Sequence, residues 1–306
     1  MAAAAWLAEW QARHSPPAFR PARAPHPASA IPPLIFQTAA DRAAALTSNG
    51  AWMRAWWLLN PSHSYHLFVD QDALQFVQRC CTAEELAAYR RSLVGAQRAD
   101  LFRIYFLREL GGVYADTDTE LRRPLSEIRA PRNSSAWLAQ AMDFDFMAFA
   151  PQHPLLRAVA ARITAGVHDK ANALLAKAAG ARGDVARTCT GAHSCITSVT
   201  GPYVYRSALR LAAHRLGCRG DLSRRACSSS SDAMMRAVHR CTDHDHWYCD
   251  VARHWDCRNS AAKRPCGTRH YTWQSHKTTF FDPNISYGLE QWKAAHTTSK
   301  VGGRIK

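Results

Sequence analysis

Asp116 and Asp118 stand two apart at the end of a short apolar segment, behind Gly111-Gly112 and a run of helical character. Side chains alternate along an extended segment, so Tyr114, Asp116 and Asp118 are predicted to project to one side. Two carboxylates in that relation suit a hard divalent cation, whose remaining ligands can be phosphates and waters. Upstream, Asp100 and Arg103 are three apart and share a helix face. An acid, a forked guanidinium, a phenol and two cation-type carboxylates in one stretch can hold a polar ligand against a metal ion.

The spacing alone is not distinctive, because Asp-x-Asp recurs at Asp70/Asp72, Asp143/Asp145 and Asp243/Asp245. Asp70 and Asp72 lead into a predicted helix over 73–79, where N-capping accounts for them. Context separates Asp116/Asp118 from the rest. Leu101, Ile104, Tyr105, Leu107 and Leu110 recur at helical spacing, and the Gly pair ends that helix and lets the chain turn into a strand. Two plainer readings stay open for the helix: Asp100–Arg103 as a surface ion pair, and Arg103 lying along apolar neighbours with its head in water.

The chain has 306 residues and a formal charge of +15. That length suffices to bury a core. The charge suits an anionic partner such as a nucleotide diphosphate, an acidic glycan or a membrane surface. Nucleic acid is not expected, since there is no long Lys/Arg run and no nucleic-acid-binding motif. Of ten cysteines, Cys80 and Cys81 are adjacent and eight crowd between Cys189 and Cys266. An even number clustered in an irregular stretch suggests disulfides and an oxidising compartment, and sequons at Asn133 and Asn284 agree with it. Zinc is disfavoured because no CxxC pair occurs. No run approaches the roughly 18 apolar residues of a membrane span. The expectation is a lumenal protein whose membrane association is through an N-terminal anchor not present in this chain.

Residues 1–30, rich in Ala, Pro and Arg, read as a disordered stem or linker. IPPLIFQT (31–38) reads as a first buried strand. Gln37 and Thr38 fall at its carboxyl end, where ligands bind in open α/β sheets. A helix is predicted over 39–59, with Trp52 and Trp56 on the core, then a strand over 65–69 and a helix over 83–92. Phe144 to Phe149 favours a strand. Ala-rich helices are predicted over about 155–165 and 169–180, and another after Gly201-Pro202. Residues 214–269 form a Cys-rich irregular insertion and 291–306 a flexible basic tail. Alternating strands and helices predict an α/β fold with a mainly parallel sheet flanked by helices.

With these pieces in place, the chain resembles the family-32, DXD-containing glycosyltransferases of the GT-A (Rossmann-like) type. That group includes α-1,6-mannosyltransferases and α-1,4-galactosyl- and N-acetylglucosaminyltransferases. The resemblance rests on RADLFRIYFLRELGGVYADTD (98–118), with IPPLIFQT (31–38), LNPSHSYHLFVD (59–70), PLSEI (124–128), His153-Pro154 and Thr200-Gly201-Pro202. It implies one nucleotide-sugar-binding domain over 31–290, retaining chemistry, and Mn²⁺ or Mg²⁺ as cofactor. The donor would be UDP- or GDP-linked and the acceptor a glycan, glycolipid or glycoprotein, in the Golgi or ER lumen. The expected site comprises Asp116 and Asp118 as catalytic, metal-holding residues. Gln37, Thr38, Asp100, Arg103, Gly112, Tyr114 and Asp116 would surround the donor. RHYTWQSH (269–276) is similar to the family's closing motif, which adds His270 as a metal contact and Trp273 and Ser275 as donor contacts. A non-catalytic nucleotide-sugar- or glycan-binding protein of the same fold is the alternative, since fold does not fix function.

Overall fold

The structure is a computed structural model, and it describes residues 30–92, 95–121, 124–127, 134–138, 145–180, 199–218, 230–231, 233–236, 238–240 and 268–270, with residues 2, 5, 6 and 9. Strand β1 (Leu34–Ala39) leads to helix α1 (Arg42–Leu59), capped by Asp41, whose carboxylate accepts from the Ala44 N–H at 2.8 Å. After Asn60-Pro61 comes β2 (Ser64–Val69), then α2 (Asp70–Cys80). The helix starts three residues earlier than expected, so Asp72 is not ahead of it but in its first turn, where it accepts from the Val69 N–H at 3.0 Å. Helix α3 (Ala83–Arg91) begins with a reciprocal box between Thr82 and Glu85.

Helix α4 (Gly95–Leu110) runs into β3 (Gly112–Ala115) through Gly111 at φ 67 and Gly112 at φ 108. Both angles favour glycine. A Cβ on Gly112 would lie 2.6 Å from the Leu34 carbonyl oxygen, so glycine also lets β3 close against β1. Next come β4 (Thr119–Leu121), a 3₁₀ turn (Leu125–Glu127), β5 (Ala136–Leu138) and β6 (Phe146–Phe149). Helix α5 (Pro154–Gly180) is followed by α6 (Pro202–Arg215), α7 (Ala233–Arg236), β7 (Val238–Arg240) and β8 (Thr268–His270). Pro154 opens α5, and His153 Nδ1 accepts from the Leu155 N–H at 3.2 Å, so His153-Pro154 is a helix-start device.

The main sheet has the order β2-β1-β3-β6-β5-β7. β1 is parallel to β2 and β3, and β5 to β7, while β6 is antiparallel to both β3 and β5. The sheet is thus mainly parallel: five of its six strands run the same way, and β6, inserted between β3 and β5, is the exception that reverses direction. The strand expected over Phe144 to Phe149 is β6, and β5 precedes it. The two Ala-rich helices expected after Pro154 are one continuous helix.

Alternation along β1 sorts the core into two layers. Leu34 and Phe36 join Phe68, Tyr114 and the apolar face of α4 on one side. Ile35 joins Val113, Ala115, Phe146, Ala148 and Trp56 of α1 on the other. Trp6, from the stretch expected to be a stem, buries its ring in the first layer against Phe68, Phe76 and Phe106, at centroid distances of 5.5, 5.0 and 6.5 Å. Glu9 pairs with Arg79 at 2.7 Å, so this part of the segment packs on the domain. Among the described residues, no helix is long and apolar enough to cross a membrane. Trp273, Ser275, the sequon asparagines Asn133 and Asn284 and most of the Cys-rich stretch lie outside the described residues, as does the basic tail.

Candidate active site

Strand β3 ends at Ala115, and Asp116 to Asp118 form a turn, closed by the Thr119 N–H donating to the Asp116 carbonyl at 3.1 Å. The two aspartates are thus turn residues, not strand residues. Tyr114 and Asp116 still share a side, because the Tyr114 hydroxyl donates to Asp116 Oδ1 at 2.5 Å. Since Tyr114 spends its proton there, Thr38 is the donor in the 3.3 Å bond between the two hydroxyls. Burial pushes the Tyr114 phenol well above its usual range, so it remains a donor.

Arg103 is the centre of the cluster. Its guanidinium reaches Asp100 Oδ1 at 3.2 Å and Asp116 Oδ1 at 3.1 Å, and lies 4.4 Å from the centre of the Tyr114 ring. Its Nε donates to the Ala99 carbonyl at 3.3 Å. Both partners of the Asp100–Arg103 pair are buried, at 7% and 8% side-chain exposure, which settles the open question of a surface pair against it. Asp100 Oδ2 accepts from Thr200 Oγ1 at 2.8 Å. Burial pushes the Asp100 carboxyl up to about 7, with Arg103 and Thr200 pulling it down and Asp116 adding to the rise.

The peptide around Asp116 is fixed as firmly as its side chain. Its N–H donates to the Asp145 carbonyl at 2.9 Å. Gln37 Nε2 donates to the Asp116 carbonyl at 2.9 Å, and the Tyr65 hydroxyl donates to Gln37 Oε1 at 2.5 Å. Gln37, expected beside the ligand, is fully buried with both ends of its amide engaged, and so holds the turn. Gly112 likewise serves the backbone. The side chains nearest solvent are Asp116 at 26% exposure and the half-exposed Thr38 and Thr117, while Asp118 is 9% exposed.

The structure therefore brings together Gln37, Thr38, Asp100, Arg103, Gly112, Tyr114, Asp116 and Asp118. It adds Tyr65, Asp145 and Thr200, which the sequence reading did not place in the site. Asp145 was visible only as one of the ordinary Asp-x-Asp pairs, and Thr200 only within Thr-Gly-Pro. The register of β4 with β8 sets His270 opposite Thr119, one residue beyond Asp118, so its backbone approaches the turn.

Three carboxylates, Asp116, Asp100 and Asp145, act on Arg103 and add to its charged state, and Asp118 stands on the same turn as Asp116. This is an acidic island in a chain of net charge +15. Two carboxylates on one turn, with excess negative charge around them, fit a divalent cation completed by phosphates and waters. Among the described residues, no three His, Cys, Asp or Glu side chains converge to cage a metal by themselves. A metal held there would share its coordination with the substrate, as Mg²⁺-type sites do.

Residues 51–136, which contain α4, the Gly pair and both aspartates of the turn, match the family model described as a glycosyltransferase sugar-binding region containing a DXD motif. Among solved structures, the PaToxG glycosyltransferase is similar over 60% of this chain and 69% of that chain, at 14% identity and a TM-score of 0.40. No curated protein matches the chain in sequence.

Proposed function

We propose that this protein is a divalent-metal-dependent glycosyltransferase, moving a hexose or N-acetylhexosamine from a UDP- or GDP-linked donor to a hydroxyl of a glycan, glycolipid or glycoprotein. The observation that carries the reading is the Arg103-centred cluster beneath the Asp116–Asp118 turn, whose Asp100, Arg103, Asp116 and Asp118 lie inside the segment that matches the DXD sugar-binding family.

Breaking a sugar–diphosphate bond leaves negative charge on the departing phosphate. A Mn²⁺ or Mg²⁺ ion on Asp116 and Asp118 would supply the Lewis acid that neutralises it. The protein's own part is to aim those carboxylates. Arg103 and Tyr114 both bind Asp116 Oδ1, which fixes the carboxylate plane before a ligand arrives. Asp100 anchors Arg103 from below, and Thr200 anchors Asp100. Thr38, half-buried beside the turn, can bond a hydroxyl of a donor. We propose retention of anomeric configuration, as the family resemblance implies, and assign no general base.

The test is release of UDP or GDP from a panel of nucleotide sugars with Mn²⁺. Turnover that chelation abolishes and that Asp118→Asn lacks supports the reading. If wild type and Asp118→Asn are equally silent across the panel, with and without glycan acceptors, transferase activity is ruled out.

We further propose a lumenal, oxidising compartment. Its support is the crowding of eight cysteines near the C-terminus, including the buried, disulfide-bonded Cys218. Cys80 and Cys81 are free, and burial raises the Cys80 thiol to about 11 and Cys81 further. Thiol titration of the denatured, unreduced protein should find only that pair. Finding all ten cysteines as thiols in secreted protein argues for a reducing home.

A further inference from the structure

Helix α1 carries a polar stripe that the site as described does not use. Asn49, Trp56 and Asn60 occupy i, i+7 and i+11 positions, so they line one helix face. Each grasps the chain leaving β3. Asn49 Nδ2 donates to Thr117 Oγ1 at 3.1 Å. Trp56 Nε1 donates to the Thr119 carbonyl at 2.7 Å. Asn60 Oδ1 accepts from the Leu125 N–H at 2.7 Å, while its Nδ2 donates to the Trp56 carbonyl at 2.8 Å. The partners advance along the chain as the stripe advances along the helix, so α1 holds Thr117, Thr119 and Leu125 in parallel.

The two inner bonds are buried and serve the fold. The outermost is of a different kind, because Asn49 and Thr117 are both half-exposed. Asparagine is a poor helix former and Gly50 after it a poorer one. In sequence Asn-Gly is a turn signal, yet here it sits inside a helix. Packing does not require the glycine, since a Cβ there would meet nothing within 4 Å. What employs Asn49 is Thr117, the residue between Asp116 and Asp118.

We propose that Asn49 is a positioning residue for the Asp turn, acting through Thr117 to set the relative placement of the Asp116 and Asp118 carboxylates. Asp116 is already fixed from β1, β3 and α4. The Asn49 bond fixes the next residue, and with it the direction in which the chain presents Asp118. Its effect is on the affinity for a divalent cation paired with a nucleoside diphosphate. The inference rests on the metal-dependent reading of the site.

The test is calorimetric titration of Mn²⁺ into the full chain, alone and with UDP or GDP, alongside thermal unfolding of the same samples. Asn49→Ala and Thr117→Val should each weaken Mn²⁺ binding about fivefold, the effect of one lost hydrogen bond. The double variant should be no weaker than either single one, because both remove the same bond. Thr117→Ser keeps the hydroxyl and should bind as wild type does. Unfolding temperatures should be unchanged. If wild type binds Mn²⁺ and Asn49→Ala binds it equally, or if the two losses add, the positioning role is wrong while the metal reading stands. A loss of affinity that only tracks a fall in unfolding temperature also overturns it. Wild type that takes up no Mn²⁺ with either nucleotide removes the metal reading, and this inference with it.

Discussion

Replacing Arg103 by Met keeps the length of the side chain and removes its charge and its fork. Asp100 then loses its partner at 3.2 Å and Asp116 its partner at 3.1 Å, and Asp100 is left buried. Removing one member of a buried ion pair costs about 3–5 kcal/mol, because the survivor is an uncompensated charge. Against a total stability of roughly 5–15 kcal/mol, that is a large fraction. The loss should depend on pH. Arg103 is the largest influence holding the Asp100 carboxyl down, and even with it that carboxyl sits at about 7, above its ordinary value. A carboxyl raised in the folded state gives stability that is present below the unfolded pKa and lost as pH rises through the folded one. In Arg103→Met the folded value rises further, so that window widens upward. The deficit relative to wild type should therefore grow between pH 6 and pH 8. Asp100→Asn on the Arg103→Met background removes the buried charge and should recover part of the loss at pH 8 and less at pH 6. Urea unfolding followed by tryptophan fluorescence at both pH values reads all of this. A deficit under about 1 kcal/mol that is the same at pH 6 and pH 8 would show that the bridge does not hold the site together.

Tyr114→Phe removes the hydroxyl that donates to Asp116 Oδ1. It should cost about 1.5–3 kcal/mol as a lost bond to a charged group and weaken Mn²⁺–nucleotide binding, both measurable by the titrations above. Gly112→Ala puts a Cβ 2.6 Å from a backbone oxygen at φ 108, and should destabilise by at least about 1–3 kcal/mol in urea unfolding. Gly50→Ala is its opposite, a helix-interior glycine with open space at the Cβ, and should stabilise by about 0.5–1 kcal/mol. Trp6→Ala empties a place walled by three phenylalanines and should cost about 3–5 kcal/mol; a freely hanging stem would lose nothing.

What the sequence made legible was local. The period of α4 and its Gly-Gly stop are signals carried by neighbouring residues, and each stands where it was read. The strands of the right half of the sheet are too short for that. β5 and β6 are three and four residues long, and nothing within them says that β6 runs against β3. The break read into α5 was equally a local inference. Gly166 and the polar residues after it resemble a helix end, but a Cβ on Gly166 would come 3.6 Å from the Val199 carbonyl oxygen. That distance is an ordinary contact, so Gly166 is simply carried within a helix whose Ile163 and Val167 are buried. Trp6 and Thr200 failed to stand out for a different reason. The pocket of the first is built by strand and helix residues far along the chain, and the partner of the second is Asp100. Residues whose meaning comes from a partner a hundred positions away have no signature of their own.

The order of the sheet gives a reason for the site's location that owes nothing to the motif. From β1 the chain passes through α1 to β2 on one side, then returns through α2, α3 and α4 to β3 on the other side of β1. The strand order thus reverses between β1 and β3, and in open α/β sheets the crevice beyond the carboxyl ends of such a pair is where ligands bind. Thr38 stands at that end of β1 and Asp116 just past that end of β3, joined through the Tyr114 hydroxyl. Charge selects the same place, since the acidic island lies under that turn in a basic chain. A basic surface draws in a nucleoside diphosphate, but the carboxylates at the crevice would repel its phosphates at short range. On the proposed function, a divalent cation between carboxylates and phosphates would relieve that repulsion. Donor binding without a divalent ion should then be weaker than donor binding with it, and the gap should shrink when Asp118 becomes Asn.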